Sequence, residues 1–128
     1  MARAKTTLAA LAAAALAACS AAQDTEPAAA GPKGYILAEI NVTNPEPYQA
    51  YIAEAGPLVA KLGGKYLVRG GRNKSREGAA PAGRLVILEF ASFEAAQAFY
   101  DSPEYQAILP MRTENATSRV IVMEGYAP

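Results

Sequence analysis

Four short segments of the chain either alternate apolar and polar residues or are almost entirely apolar. Short runs rich in β-branched and aromatic residues are typical of β-strands, in which successive side chains point to opposite faces. The pattern predicts strands at 35–42, 65–69, 84–90 and 119–124. Glycines directly after the second and fourth segments mark the ends of those strands.

Between the strands, apolar residues recur at the three- and four-residue spacing of a helix. The first helical pattern begins at Asn44-Pro45-Glu46, which supplies a cap residue, a proline and an acid. It ends at Gly63-Gly64, and Gly56-Pro57 inside it predicts a kink or a break. A second helix is predicted after Ser92, and a further helical segment after Ser102.

The predicted order is β-α-β-β-α-β, in which each half consists of a strand, a capped helix and a strand. This is the ferredoxin-like arrangement, an α+β fold with a four-stranded antiparallel sheet and both helices on one face. The other face of the sheet is left uncovered and needs a partner, and a second copy of the domain is the simplest one. We therefore expect a homodimer.

Strand alternation places one charged residue among apolar ones on one face of every strand. The four sets are Tyr35, Leu37 and Glu39; Leu67 and Arg69; Leu85, Ile87 and Glu89; and Val120, Val122 and Glu124. If the sets share one face, an apolar surface carries three carboxylates and one guanidinium. The alternative is that each charge lies at a strand end and reaches solvent, and the pattern alone leaves both open.

Residues 1–18 have the pattern of an export signal. Arg3 and Lys5 precede an apolar run from Leu8 to Ala18, which as a helix is roughly 16 Å long and too short to cross a bilayer. The run ends in Leu16-Ala-Ala-Cys19, which resembles the lipobox of bacterial lipoproteins. The resemblance implies cleavage before Cys19 and lipid attachment to its sulfur. The alternative is a secreted protein that is cut elsewhere in this alanine-rich stretch.

Residues 19–32 lack large apolar side chains and are rich in alanine, proline and acidic groups. Such a segment is predicted to be a flexible tether, which leaves residues 33–128 as the folded domain. Two or three acyl chains hold a protein stably at a bilayer. We therefore expect a lipid-anchored, periplasm-facing protein of the cell envelope. Ser20, after the cysteine, resembles the sorting signal that favours the outer over the inner membrane.

The composition excludes several classes of site. The chain has no His and one Cys, which excludes histidine-dependent triads, imidazole metal ligands, internal disulfides and cysteine-rich zinc sites. Twelve basic residues balance twelve acidic ones, and removal of residues 1–18 leaves ten basic against twelve acidic residues. We expect no nucleic-acid partner, no metal and no cofactor.

Several short motifs together resemble one family. They are Tyr66-Leu-Val-Arg-Gly-Gly71, Arg84-Leu-Val-Ile-Leu-Glu-Phe90, Ser102-Pro-Glu-Tyr105, Arg112 and Glu124-Gly125. In this combination the chain resembles the domain-of-unknown-function-1330 family over residues 33–126, within the superfamily of dimeric α/β barrels. The resemblance implies a ferredoxin-like fold and a dimer packed sheet to sheet, but no particular reaction. It singles out as positions to test Arg69, Arg84, Glu89, Ser102, Tyr105 and Arg112.

Basic residues concentrate between positions 61 and 84, where only Glu77 opposes them. They are Lys61, Lys65, Arg69, Arg72, Lys74, Arg76 and Arg84. Arg69 or Arg84 would present a planar fork to a carboxylate or phosphate, or the segment would contact anionic lipid head groups. The alternative is a solvated hairpin loop whose charges protect an edge strand.

The predicted helices carry four tyrosines, which are Tyr48, Tyr51, Tyr100 and Tyr105. They are expected either to pack the helices or to line a pocket in which their hydroxyls position a small ligand. Glu89, flanked by apolar neighbours, is the candidate acid or base, and Arg112 is expected to face it from the second helix. The alternative for these two residues is a structural ion pair.

Three functions are compatible with these features. The first is a lipid-anchored dimer that binds a small apolar or anionic molecule. The second is a cofactor-free enzyme on a small organic substrate, with Glu89 as acid or base and Arg69 or Arg112 holding an anion, as the resemblance to a superfamily with monooxygenases and isomerases suggests. The third is an envelope protein whose surface binds another protein. The lack of His and of a nucleophile motif favours the first.

Overall fold

The structure is a computed structural model and describes residues 31–128. The predicted signal peptide, Cys19 and most of the predicted tether lie outside the described residues. The strands are β1 (Gly34–Val42), β2 (Lys65–Arg69), β3 (Arg84–Phe90) and β4 (Ala116–Glu124), and the helices are α1 (Pro45–Lys61), α2 (Phe93–Asp101) and α3 (Pro103–Thr113). None of the helices within residues 31–128 is both long and apolar enough to cross a bilayer.

The strands form a single antiparallel sheet in the order β2-β3-β1-β4, with β1 paired along its length to both β3 and β4. The three helices pack on one face of this sheet. This order and layering are those of the ferredoxin-like α+β fold. The predicted fold is therefore confirmed, with the segment after Ser102 forming a third helix.

Serine side chains fix the starts of α2 and α3. The hydroxyl of Ser92 accepts a hydrogen bond from the Ala95 amide at 3.0 Å, and that of Ser102 accepts one from the Tyr105 amide at 3.2 Å. Both bonds satisfy amides that have no partner inside the helix. Asn44 occupies the equivalent position before α1 but makes no such side-chain bond.

Of the kink or break expected at Gly56-Pro57, the break does not occur, because α1 is a continuous helix of 17 residues with Pro57 inside it. A proline at this position removes the backbone bond to the carbonyl four residues earlier, and its ring crowds that carbonyl. Burial of Tyr48, Ala55 and Val59 along the inner side of α1 stabilises the helix on both sides of Pro57. Tertiary packing thus outweighs the local preference of the sequence.

The core lies between the helices and one face of the sheet, which we call the helix face. In β1 it receives Ile36, Ala38 and Ile40, while the residues between them point to the opposite, outer face. Phe90 of β3 and Phe99 of α2 meet there with ring centroids 5.0 Å apart. The central strand therefore separates an apolar core from a second surface that the helices leave uncovered.

The four sets of strand residues that each carry one charge do not all share one face. Those of β1 and β3 lie together, and that of β4 lies on the opposite face. Register pairs Leu37 of β1 with Ile87 of β3 and with Ile121 of β4, so these three residues lie on the outer face. Val120 is paired with Ala38 and belongs to the helix face. The set Val120, Val122 and Glu124 therefore lies on the helix face, so the alternative in which all four sets share one face is wrong. Alternation within one strand carries no information about its register with the next.

A β-bulge changes the alternation of β2. Tyr66 is paired with Leu88 and Arg69 with Val86, although Tyr66 and Arg69 are three positions apart and would point to opposite faces of a regular strand. The irregularity lies between Tyr66 and Val68, and it places both Tyr66 and Arg69 on the helix face. Arg69 therefore does not share the outer face with the odd residues of β1, which also argues against the alternative of one shared face.

Candidate anion-binding pocket

A pocket lies between α1 and the helix face of the sheet, with side chains of α2 and α3 closing its far side. Aliphatic residues of the strands form its floor, and aromatic residues of the helices form much of its wall. Its polar lining consists of tyrosines and arginines, namely Tyr48, Tyr51, Tyr66, Tyr100, Tyr105, Arg69, Arg84 and Arg112. The pocket thus combines an apolar interior with phenol and guanidinium groups.

The space arises where the central strand carries a small side chain. Ala38 lies between the larger Ile36 and Ile40 on the helix face of β1, beneath the tyrosines of α1. Centres of water-sized molecules can occupy ≈ 50 Å³ of the pocket. At about 10–15 Å³ for each water, this volume accommodates a few waters.

Two tyrosine hydroxyls meet at the pocket wall. The hydroxyl oxygens of Tyr51 (α1) and Tyr105 (α3) lie 2.9 Å apart and form a buried hydrogen bond. The ring of Tyr105 also packs against Tyr100, with centroids 5.3 Å apart. Burial and the neighbouring Tyr105 strongly raise the pKa of Tyr51, so its hydroxyl stays protonated in the physiological range.

Arg112 of α3 is 2% exposed, which makes it the most deeply buried charged side chain among residues 31–128. One terminal nitrogen of Arg112 donates to the hydroxyl of Ser118, and its guanidinium lies 6.0 Å from the ring centroid of Tyr51. Its Nε is buried and has no hydrogen-bond partner. Burial acts to lower the pKa of Arg112, but Tyr105, Tyr51 and Tyr100 act in the opposite sense, and the pKa is raised overall. A tyrosine attracts the guanidinium as a charge only when it is ionised, so near neutral pH this attraction does not offset the burial of Arg112.

Arg69 and Arg84 lie nearer to solvent than Arg112. The guanidinium of Arg69 stacks 4.3 Å from the ring centroid of Tyr66, and Arg69 itself is exposed. A Cβ at Gly56 of α1 would lie 3.3 Å from Nη2 of Arg69, so glycine leaves room for this side chain beneath the helix. Arg84 is half-buried, and its Nε has no hydrogen-bond partner.

The three guanidiniums have no carboxylate partner in the part of the chain that the structure describes. The one ion pair found there joins Glu39 and Arg119 at 2.9 Å, on the outer face of the sheet. No carboxylate lines the pocket, and residues 31–128 contain no cluster of acidic or thiol groups that could hold a metal ion. The pocket is therefore cationic, and its guanidiniums are available to an anion.

Glu89 does not lie in this pocket. It is paired with Tyr35 and Lys65 in neighbouring strands on the outer face, and the Tyr35 hydroxyl donates to it at 3.4 Å. Arg112 lies on the helix face, so the expected pair of Glu89 and Arg112 is wrong. An odd position in β3 points away from α3, and strand alternation fixes that direction.

Most of the other residues singled out from the sequence do come together. Tyr48, Tyr51, Tyr105, Arg69 and Arg84 all line the pocket with Arg112. Ser102 instead caps α3, because its hydroxyl accepts a hydrogen bond from the Tyr105 amide. The same hydroxyl donates to the Phe99 carbonyl at the end of α2, at 2.7 Å. The loop residues Arg72, Lys74 and Arg76 are exposed and stay outside.

The sequence analysis gave no role in the site to Ala38, Tyr66 or Ser118. The bulge hid the position of Tyr66, and the hydrogen bond from Arg112 to Ser118 depends on the register of β4. Ala38 interrupts a run of larger apolar residues in the central strand. A small residue at that position is a further signal for a cavity, beside the tyrosines of the helices.

The described residues therefore form a ferredoxin-like domain with an internal cationic pocket. The chain belongs to the family called Domain of unknown function (DUF1330), whose model matches residues 33–126. No curated protein matches the chain. These comparisons show the family without assigning it an activity.

Two solved structures illustrate the similarity. A protein of unknown function from Rhodopseudomonas palustris is 24% identical, with a TM-score of 0.59 over 77% of this chain and 85% of that one. SnoaB, a cofactor-independent oxygenase from Streptomyces nogalater, is 14% identical, with a TM-score of 0.51 over 77% of this chain and 97% of that one. At these identities the likeness shows the shared fold alone.

Proposed function

We propose that this domain binds a small organic anion in the pocket between α1 and the sheet. The observation that carries the proposal is Arg112, a guanidinium that is 2% exposed, has no carboxylate partner within residues 31–128 and keeps an unpaired buried Nε. Anions of the carboxylate class complement the planar donors of a guanidinium through charge-assisted hydrogen bonds.

Burial of an uncompensated charge is costly, because the protein interior solvates a charge less well than water does. The Ser118 hydroxyl and the ring of Tyr51 compensate Arg112 in part, but both are neutral groups. A carboxylate in the pocket would supply both the missing negative charge and an acceptor for the free donors. The arrangement is therefore suited to a ligand-bound state.

The rest of the pocket suits an organic ligand. Ile36, Ala38, Ile40, Val86, Leu88 and Val120 form an apolar floor. Apolar contact of this kind contributes binding energy, while a few placed polar groups fix the orientation of the ligand. The cavity volume of ≈ 50 Å³ is the space of a few waters, so an organic ligand would extend out of it toward the exposed Arg69.

The polar groups favour binding over acid–base catalysis. Burial raises the pKa values of Tyr48, Tyr51 and Tyr66, so these hydroxyls donate hydrogen bonds and do not act as bases near neutral pH. Glu89, the candidate base from the sequence, lies on the other face of the sheet. A cofactor-free enzyme like the oxygenase with the similar fold is the alternative function.

A cavity-filling variant tests this proposal. Ala38→Leu places a larger side chain in the pocket, whereas Ala98→Leu adds the same side chain at an exposed position on α2. Binding of benzoate and glutarate to the purified full-length chain is measured by isothermal titration calorimetry. We expect Ala38→Leu to weaken binding at least tenfold and Ala98→Leu to leave it unchanged. Equal affinities in two folded variants would contradict the pocket as the binding site.

We further propose that the domain is carried by an exported lipoprotein and faces the periplasm. The basic start of the chain, the apolar run from Leu8 and the lipobox-like residues before Cys19 support this proposal. Cys19→Ser should move the protein from the membrane fraction to the soluble fraction, while Ser20→Ala should leave it in place. Retention of Cys19→Ser in the membrane fraction would rule out the lipid anchor.

We also propose that two copies pair through the outer face of the sheet. Tyr35, Leu37, Leu85, Ile87, Ile121 and Met123 share that face, which the helices leave uncovered. Glu39 and Arg119 neutralise each other within this face. The face also carries Glu89 and Lys65, which are opposite each other in β3 and β2. Its centre is largely apolar and favours burial against an identical surface.

A further inference from the structure

We propose that the anion is a small dicarboxylate, whose two acid groups contact two separate cationic stations of the pocket. The inner station is Arg112, and the outer station is Arg69 with Arg84. This inference rests on the proposed binding function and narrows it to one class of ligand. A single carboxylate would leave one station without a partner.

The inner station is closed to solvent. Arg112 is buried between α3 and the sheet, with the Tyr51 and Tyr105 hydroxyls forming a pair next to it. One of these two hydroxyls donates to the other, so the proton of the second is free to donate elsewhere. A carboxylate at this station would accept from Arg112 Nε and from that tyrosine hydroxyl.

The outer station lies at the mouth of the pocket. Arg69 is exposed and stacks on Tyr66, while the half-buried Arg84 packs against Gly70. The Nε of Arg84 is buried without a partner, as is that of Arg112. A second carboxylate here would remain partly hydrated and would accept hydrogen bonds from these two guanidiniums.

The register of the sheet separates the two stations. Arg84 of β3 is paired with Ile40 of β1, which is paired in turn with Ser118 of β4, the residue that accepts a hydrogen bond from Arg112. Neighbouring strands are about 4.8 Å apart, so Arg84 and Ser118 are separated by roughly 10 Å at the backbone.

Helix α1 gives an independent measure of the separation. Arg112 lies by Tyr51, whereas Arg69 lies by Gly56, five positions further along α1. At about 1.5 Å for each residue, these positions are roughly 7.5 Å apart along the helix axis. One carboxylate is too small to contact both stations, but two carboxylates joined by a short methylene chain can contact both.

The charge of the pocket favours the same class of ligand. Three guanidiniums and no carboxylate line it, so a monoanion would leave two positive charges uncompensated. A dianion balances more of this charge and places one acid group at each station. The apolar floor between the stations is suited to the methylene chain that joins the two acid groups.

Glutarate and its monomethyl ester form the decisive probe pair, because they share a carbon chain and differ in one charge. Their affinities for the purified full-length chain are measured by isothermal titration calorimetry at fixed salt. We expect glutarate to bind at least about tenfold more tightly, which corresponds to about 1.4 kcal/mol and is close to the lower end of the range for hydrogen bonds to charged groups. Succinate and adipate test the length of the chain.

Variants at the outer station test the assignment of the second acid group. Arg84→Gln and Arg69→Gln should each weaken glutarate binding severalfold or more, and should change the affinity for the monoester less than twofold. Arg72→Gln makes the same substitution at an exposed loop position and controls for the loss of overall charge. We expect Arg72→Gln to leave both affinities within twofold.

The outcomes separate this inference from the proposed function. Equal affinities for glutarate and its monoester, both lost in Ala38→Leu, would overturn the dicarboxylate inference and leave anion binding intact. Equal losses in Arg84→Gln and Arg72→Gln would indicate bulk charge attraction and would also overturn it. Failure of benzoate, the glutarate series and the monoester to bind at all would overturn both proposals.

Discussion

The phenolic oxygens of Tyr51 and Tyr105 lie 2.9 Å apart, in a hydrogen bond that joins α1 to α3 across the pocket wall. These residues are 54 positions apart in the chain, so the bond forms only when the helices pack. Both rings are buried, and removal of one hydroxyl leaves the other without its partner. The pair therefore contributes to stability and also shapes the site.

A double-mutant cycle measures this pair. Tyr51→Phe and Tyr105→Phe should each lower the free energy of unfolding by about 1 kcal/mol, because each leaves one buried hydroxyl unsatisfied. The double variant should lose less than the sum of the two, since it removes both hydroxyls. Urea unfolding measures the three values. Tyr126→Phe is the control, because Tyr126 is 91% exposed and should change nothing. Strict additivity would contradict the coupling.

Arg112→Met should make the ligand-free protein more stable while it abolishes anion binding. Methionine fills a similar volume and removes a buried charge that has no carboxylate partner in the described residues. We expect a gain of about 1 kcal/mol, which for a domain of this size raises Tm by several degrees.

Arg72→Met is the matched control for Arg112→Met, because Arg72 is an exposed arginine in the loop after β2. Its stability should change by less than about 0.5 kcal/mol. Thermal unfolding without ligand, followed by circular dichroism, compares the two variants. A loss of stability in Arg112→Met would show that the guanidinium is needed for the fold itself.

The free energy of unfolding should fall steeply above about pH 10. Burial is the main cause that raises the pKa values of Tyr48, Tyr51 and Tyr66 above 10.0, the ordinary value of a tyrosine. The folded chain therefore keeps protons that the unfolded chain releases. The stability from these protons is complete below pH 10 and is lost as pH rises beyond it, by about 1.4 kcal/mol per pH unit for each tyrosine.

Chemical denaturation at a series of pH values tests this prediction. Tyr51→Phe should reduce the alkaline loss of stability, whereas Tyr126→Phe should leave the profile unchanged because Tyr126 is exposed. Tyrosinate absorbance should reveal the delayed ionisation of the buried tyrosines in the native state. A flat profile between pH 9 and pH 11 would contradict the burial of these hydroxyls.

Ile121→Lys should convert the proposed dimer to a monomer. Ile121 is 40% exposed on the outer face of the sheet, opposite Leu37 of β1, and a lysine there would place a charge in the interface. Met111→Lys is the control, because Met111 is 37% exposed on α3. Size-exclusion chromatography with light scattering at micromolar concentration distinguishes the two. A monomeric native chain, or a dimeric Ile121→Lys, would contradict pairing through the outer face.

Local chemistry made the order of elements predictable. Ser92 and Ser102 begin helices because their hydroxyls satisfy backbone amides, an interaction within three residues that the sequence displays. The helix break expected at Pro57 does not occur, because the effect of a proline depends on whether the rest of α1 packs well. Packing is a property of the folded domain and is not visible in the residues around Pro57.

The residues of the pocket were largely predictable, but their partners were not. Tyrosines at helical spacing and the arginines of β2 and β3 indicated a polar ligand site. The expected contact between Glu89 and Arg112 failed because it required both side chains on the same face of the sheet. That relation depends on register and on the bulge in β2, which hydrophobic patterning does not encode.

The bulge beside Leu67 has a consequence for comparing this chain with its relatives. One residue more or fewer between Tyr66 and Arg69 turns the arginine from the pocket to the outer face. Two aligned sequences can therefore share a tyrosine and an arginine in β2 and still differ in whether the arginine reaches the ligand. A one-residue gap at this point in an alignment is thus a more informative marker of the outer station than overall identity.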